Sequence, residues 1–119
     1  MLVDALRNRR SRWELLTRLV QEGHELCTTV LNVAEIYGGM RASEEKGTEA
    51  FLAGFLYFGL EPHAARAAGN FKAQWARRGT TLAIVDCAIA AVAIQEHCVV
   101  ATDNRRDFPM PELQLYPLP

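Results

Sequence analysis

Long apolar runs are missing from this 119-residue chain. No stretch approaches the ~18 consecutive apolar residues that cross a bilayer, and no basic–apolar–small-residue start marks a secretory signal. Cysteine is scarce. Cys27, Cys87 and Cys98 are odd in number and carry no C-x-x-C spacing, which argues against a disulfide framework or a zinc site and suits a reducing cytosol. The three histidines, His24, His63 and His97, stand alone at non-ligand spacings, so surface or core roles are expected for them rather than metal binding or acid–base chemistry. Repeats, low-complexity stretches and long linkers are also absent. What remains is half hydrophobic residues and 23% charged ones, enough for a single domain over residues 1–119 that buries about two thirds of its unfolded surface without staples. Membrane, fibrous, disordered and disulfide-scaffold classes are excluded on these grounds.

Charge is nearly balanced, at −1 overall, but unevenly laid out. Arg7, Arg9, Arg10 and Arg12 crowd the start. Between His63 and Thr81 stand Arg66, Lys72, Arg77 and Arg78 with no carboxylate. A near-neutral protein with basic faces can still hold a polyanion, because the local field follows nearby charges; a solvated helix face is the plainer reading.

Periodicity predicts helices alternating with short apolar strands. Leu2, Leu6, Trp13, Leu16, Leu19 and Val20 recur at helical spacing, Glu25–Thr29 reads as a strand, and Thr29 is placed to cap a helix that Gly38 and Gly39 end. A third helix is expected over about 43–58, a strand over 58–61 before Pro62, and a fourth helix over 64–78. Leu82–Gln95 is an alanine-rich helix suited to close packing on a sheet, Cys98–Ala101 is a wholly apolar strand, and Leu113–Tyr116 is a last short strand. This order implies an α/β fold with a parallel sheet, whose sites lie beyond the carboxyl ends of the strands. Thr102–Asp107 falls at such an end. Trp13 and Trp75 occupy apolar helix positions, as core or dimer-interface residues.

Three groups of acids stand where packing alone would not put them. Glu35 lies within VLNVAEIYGGM, Asp86 within LAIVDCAIAA, and Asp103 and Asp107 flank Asn104, Arg105 and Arg106. Buried carboxylates must be paired or bound to a cation, and together these would form an oxygen-rich pocket suited to Mg²⁺ or Mn²⁺. The alternative is that Glu35 faces water and Asp86 caps its helix.

The segments VLNVAEIYGGM, GTTLAIVDCAIAAVAI and VVATDNRRDFPMPELQLYPLP together resemble a PIN domain of the VapC toxin type, in the right order and over most of the chain. The resemblance implies a three-layer α/β/α fold with a short parallel sheet flanked by helices. It implies a metal-dependent endoribonuclease of a toxin–antitoxin pair, acting in the cytoplasm, with a VapB-like antitoxin, an RNA substrate and a homodimer as its partners. Carried over residue by residue, it makes Glu35, Asp86 and Asp107 catalytic and metal-binding, with Asn104 as a further ligand through its carbonyl oxygen. Many relatives have Asp at the place of Asn104; Asp103 is less regular and better suited to a water-bridged role. The metal would generate hydroxide and stabilise charge on the scissile phosphate. Arg66, Lys72, Arg77 and Arg78 would grip the RNA backbone, with Arg105 and Arg106 nearer the site. Phe51, Phe55, Tyr57 and Phe58 would line a groove for a partner helix or serve as core.

One block departs from that pattern. The opening MLVDALRNRR matches LVDALR of the family's first helix better than it matches the strand and Asp that precede it. In that register the first strand and first catalytic Asp lie upstream of Met1, and the domain is truncated: either the true start lies further upstream, or the product is an impaired remnant that binds antitoxin or RNA without cutting, or a second copy fills the gap. In the rival register MLV is the strand and Asp4 the ligand, at the expense of a deletion before Glu35.

Overall fold

The computed structural model describes residues 1–4 and 9–118, with backbone alone at 9–11. Four short strands, β1 (Leu2–Val3), β2 (Cys27–Thr29), β3 (Leu56–Phe58) and β4 (Val100–Ala101), form one parallel sheet in the order β3–β2–β1–β4. Five helices flank it: α1 (Arg9–Gln21), α2 (Val30–Gly39), α3 (Glu45–Leu52), α4 (Pro62–Arg77) and α5 (Ile84–Gln95). Single 3₁₀ turns cover Ala42–Glu44 and Arg105–Asp107. This is the expected α/β/α sandwich.

Alternation of side chains along each strand assigns the two faces. Leu2, Cys27 and Val100 join a core with Ala64 and Ala68 of α4 and with Cys87–Ala93 of α5. Val3 points the other way, into a second cluster with Leu15, Leu16 and Leu19 of α1, Leu26, and Phe55. Being buried on both faces explains why β1 and β4 read as unbroken apolar runs, whereas β3 is largely exposed.

The expected loss of the first strand is corrected. Leu2–Val3 occupies the middle of the sheet, paired with Cys27 on one side and with Val100 and Ala101 on the other. Leu2 donates from its amide to the Val99 carbonyl, and the Cys27 amide donates to the Met1 carbonyl, each at 2.8 Å. Two residues suffice for a strand when neighbours on both sides satisfy its backbone. Leu2 is therefore a strand residue, and the helical spacing that included it was coincidental; Leu6 and Arg7 lie outside the described residues, as do the side chains of Arg9 and Arg10.

Other boundaries shift modestly. The helix expected over 43–58 ends at Leu52, because Tyr57 and its neighbours turn into β3 instead, with the Tyr57 hydroxyl donating back to the Leu52 carbonyl. The strand expected over 58–61 is therefore Leu56–Phe58, and Pro62 opens α4 at its first turn, where a missing N–H costs nothing. The closing strand over 113–116 reduces to a single bridge between Leu115 and Val100. The Thr29 cap appears as expected: its hydroxyl accepts from the Asn32 amide at 3.1 Å, and the Asn32 side chain accepts from the Thr29 amide in return.

Candidate active site

Beyond the carboxyl ends of the strands, four segments meet. Asp4 directly follows β1, Glu35 lies on α2, Asp86 lies in the first turn of α5, and Asp107 closes the 3₁₀ turn after β4. Asp4 is the most enclosed, only 7% exposed. Its two oxygens are held separately: Asn32 Nδ2 donates to Oδ1 at 2.6 Å and Thr102 Oγ1 donates to Oδ2 at 2.8 Å. Both partners are themselves fixed. Thr29 Oγ1 donates to Asn32 Oδ1 at 2.7 Å, and the Asn104 amide donates to Thr102 Oγ1 at 3.0 Å. The same Thr29–Asn32 pair that starts α2 thus aims a carboxylate on a neighbouring strand, and a buried network satisfied at every member is rigid.

Asp86 is different in kind. It is half-buried, and no side chain caps α5, whose N-cap is Ala83. The capping role considered for Asp86 is therefore excluded by register. A carboxylate in the first turn of a helix gains from the helix dipole, yet Asp86 is pushed up from 3.8 to about 6, first by burial and then by Asp107, Asp4 and Glu35 in decreasing order. Four carboxylates therefore share one electrostatic neighbourhood. Glu35 and Asp107 are the exposed members.

The remaining acid is spent elsewhere. Asp103 accepts from Arg12 Nη2 at 2.8 Å and Nε at 3.3 Å, a bidentate ion pair that ties α1 to the turn after β4. Asn104 is half-buried, with its backbone amide on Thr102, and it precedes the turn that carries Asp107.

Whether these residues suit a metal ion turns on donor chemistry and spacing. Carboxylate oxygens are the donor type a hard divalent cation takes. As they stand, no group of three or more His, Cys, Asp or Glu among the described residues is gathered as a ready-made cage. The donor chemistry fits such an ion, with Asp4 enclosed, Asp86 half-buried, and Glu35 and Asp107 exposed.

Beside the acids opens a cavity of about 570 Å³ whose walls include Asp4, Asn32, Glu35, Glu44, Thr48 and the rings of Trp13, Phe51 and Phe55. Trp13 is 46% exposed and lies 5.1 Å from Phe51, centroid to centroid, so it is a rim residue rather than a core one. Of the four aromatics considered for a groove, Phe51 and Phe55 line this cavity, Tyr57 is exposed, and Phe58 packs against the α4–α5 core. Among the described residues, the buried Thr48 hydroxyl finds no hydrogen-bond partner.

The basic set divides. Arg66 and Arg77 are exposed on α4, Arg105 and Arg106 on the 3₁₀ turn, with Arg105 Nη1 donating to the Tyr116 carbonyl at 3.3 Å. The Arg78 guanidinium lies 4.9 Å over the Trp75 ring. Lys72 is corrected: it is half-buried, and its ammonium donates to the Leu82 carbonyl at 2.6 Å. It fastens α4 to the loop that enters α5 and is not a free surface cation.

The rival register, with MLV as the strand and Asp4 at its end, is the one the structure adopts. Asn32 and Arg12, which orient Asp4 and occupy Asp103, carry no comparable local signal.

A family model for the PIN domain matches residues 1–110. The chain belongs to the PIN-domain family. Its relatives place this PIN domain with the VapC type. Ribonuclease VapC19 of Mycobacterium tuberculosis is 33% identical over 113 residues, covering 94% of this chain and 90% of that protein. Ribonuclease VapC2 of Haemophilus influenzae is 32% identical over 100 residues, covering 80% and 76%. Among solved structures, VapBC2 from Rickettsia felis bound to a DNA fragment from its promoter superposes with a TM-score of 0.76 at 21% identity, over 92% of this chain and 87% of that one. DNA-bound VapBC from Salmonella typhimurium gives 0.72 at 27% identity, over 86% and 82%. No helix among the described residues is long and apolar enough to cross a membrane.

Proposed function

We propose that this PIN domain is a Mg²⁺- or Mn²⁺-dependent endoribonuclease, the toxin of a VapBC-like pair, working in the cytoplasm. The observation that carries this reading is the meeting of Asp4, Glu35, Asp86 and Asp107 at the carboxyl end of the sheet, where burial first, and then the three neighbouring carboxylates, push Asp86 up to about 6. These four would hold the cation, with Asn104 beside them. When bound, the ion supplies charge neutralisation at the scissile phosphate.

The chain's own residues do the rest. Asn32 and Thr102 keep Asp4 in one orientation before any ligand arrives, so little is lost to ordering it. Asp86 must shed its proton to take a cation, which ties activity to pH values near and above 6. Arg66, Arg77, Arg105 and Arg106 are exposed cations for the RNA backbone; their contribution falls as salt rises. The cavity favours a VapB-like antitoxin segment that brings apolar side chains to Phe51 and Phe55 and a cation to Glu35 and Glu44. That complexes named VapBC share this fold supports the same partner, and the exposed Trp13 suits a homodimer or antitoxin contact.

The alternative was an impaired domain short of one carboxylate. Asp4, standing at the end of the central strand, favours the cutting enzyme. The test is RNA cleavage by the full chain with Mg²⁺ or Mn²⁺, compared with Asp4→Ala and Asp86→Ala. Outer-shell residues of metal sites cost about 10–100-fold, so loss of either carboxylate is expected to cost at least about a hundredfold, and chelation by EDTA should do the same. Full activity in either variant sinks this site. Tight antitoxin binding with no cleavage by the unmodified chain restores the binding-only reading.

A further inference from the structure

At the opposite end of the sheet from the carboxylates, two thiols far apart in sequence lie together. Cys27 Sγ and Cys98 Sγ are 3.6 Å apart. Cys27 opens β2, and Cys98 lies just before β4. These strands are not neighbours: β1 runs between them. Met1 occupies the gap, with its carbonyl accepting from the Cys27 amide at 2.8 Å and from the Cys27 thiol at 3.2 Å. The two sulfurs therefore meet across the start of the two-residue strand that carries Asp4 at its other end.

We propose that Cys27 and Cys98 form a reversible disulfide clasp that locks β1 between β2 and β4. The sulfurs must close from 3.6 Å to about 2.05 Å, and because β1 stands between the two strands, the backbone at Cys98, two residues before β4, has to shift toward Cys27 to close them. Exposure assigns the order of events. Cys98 is partly exposed, whereas Cys27 is 3% exposed and its thiol is pushed up to about 12, mainly by burial and then by its contact with Cys98. Cys98 is accordingly the sulfur that meets an oxidant of the hydroperoxide class. Its sulfur attacks a peroxide oxygen, the O–O bond breaks, and with hydrogen peroxide one water leaves as Cys98 becomes a sulfenic acid. Cys27 sulfur then attacks that sulfur, the S–O bond breaks, and the oxygen departs as a second water with the Cys27 proton. The two thiols lose two electrons and the peroxide gains them. A dithiol reductant reverses the bond by thiol–disulfide exchange.

The consequence is mechanical. Closing a long loop restricts the unfolded chain, and here the closure also prevents the start of β1 from fraying. Cys87 is the internal control, since it is fully buried and the sulfur contact joins Cys27 to Cys98.

The experiment treats the folded full chain with hydrogen peroxide, alkylates it after denaturation, and maps the thiols by mass spectrometry. The expected product is 2 Da lighter than the reduced chain, with a Cys27–Cys98 cross-link and Cys87 free to alkylate. Its Tm should rise by at least about 5 °C, and dithiothreitol should abolish the rise. Cys98→Ser, a partly exposed position, should fold and show no rise with peroxide. Three alkylated thiols after treatment, a bond that includes Cys87, a bond between two copies, or a Cys27–Cys98 bond without a change in Tm would each overturn the clasp.

Discussion

One face of the sheet is covered by α5, whose seven consecutive residues Cys87–Ala93 are all buried against the strands and α4. On the other face the leucines of α1 meet Leu26 and Phe55 over Val3, and beside them lies a cavity of about 570 Å³, with Trp13 half in water and Thr48 buried without a partner among the described residues. The alanines of α5 have little side-chain entropy to lose and let backbones approach closely, so that face is made for stability. Aromatic rings around an open space pack less completely and keep surface for something else. The carboxylates lie where these two regimes meet: Asp86 projects from the close-packed face, Glu35 and Asp4 border the open one. The chain thus keeps its close packing on one side of the sheet and its open space on the other.

The contrast can be broken most directly by truncation. Ile89→Ala, at a fully buried site, should cost about 2–5 kcal/mol in urea unfolding. Phe51→Ala, in the half-open wall, should cost less than half as much while weakening capture of the antitoxin. Equal costs would erase the distinction between the faces.

Asp86 tests what the site gives up in stability. It holds its proton more tightly folded than unfolded, so its penalty is absent well below 3.8, grows as pH rises from 3.8 toward about 6, and is fully present above that. Asp86→Asn should therefore stabilise the metal-free chain at pH 7–8 by about 1–2 kcal/mol, after allowing for partial exposure to water. The gain should vanish near pH 3. Mg²⁺ should raise the Tm of the unmodified chain at pH 7–8 and leave Asp86→Asn nearly unmoved. A gain that persists unchanged at pH 3 would mean that charge is not its cause.

Thr48→Val sharpens the view of the cavity. Removing a buried hydroxyl that finds no partner among the described residues should stabilise the chain by about 1 kcal/mol. If that hydroxyl serves the partner, calorimetric titration with antitoxin should show weaker binding despite the gain. The smallest effect is expected on the close-packed side. His97 follows α5 in the left-handed region, with φ 55°, and the Cys98 amide returns to the Ala93 carbonyl at 2.8 Å. Glycine suits that position, so His97→Gly should gain about 0.5–1 kcal/mol in thermal unfolding and leave RNA cleavage unchanged.

Legibility in the sequence followed the range of the interactions. Thr29 with Asn32, three residues on, marked the start of α2, and the small-residue run of α5 marked a helix buried all round. Glu35, Asp86 and Asp107 were conspicuous because each lies in an apolar or structurally marked segment. Lys72 was misjudged because a cation on a helix looks the same in sequence whether it meets water or, ten residues away, the Leu82 carbonyl. Asp103 was discounted for irregularity, whereas what occupies it is Arg12, 91 residues distant.

By itself, then, the sequence determined the element types, the α5 core and the carboxylates on α2, α5 and the last turn, because periodicity, capping and misplaced charge are local properties. Only the tertiary structure decided that Leu2–Val3 is the central strand, that Asp4 joins those acids, and that Cys27 meets Cys98. Those outcomes depend on the order β3–β2–β1–β4, which brings together backbone and side chains separated by up to 98 residues. A two-residue strand has too little pattern to announce itself; its neighbours' unpaired N–H and C=O groups are what define it.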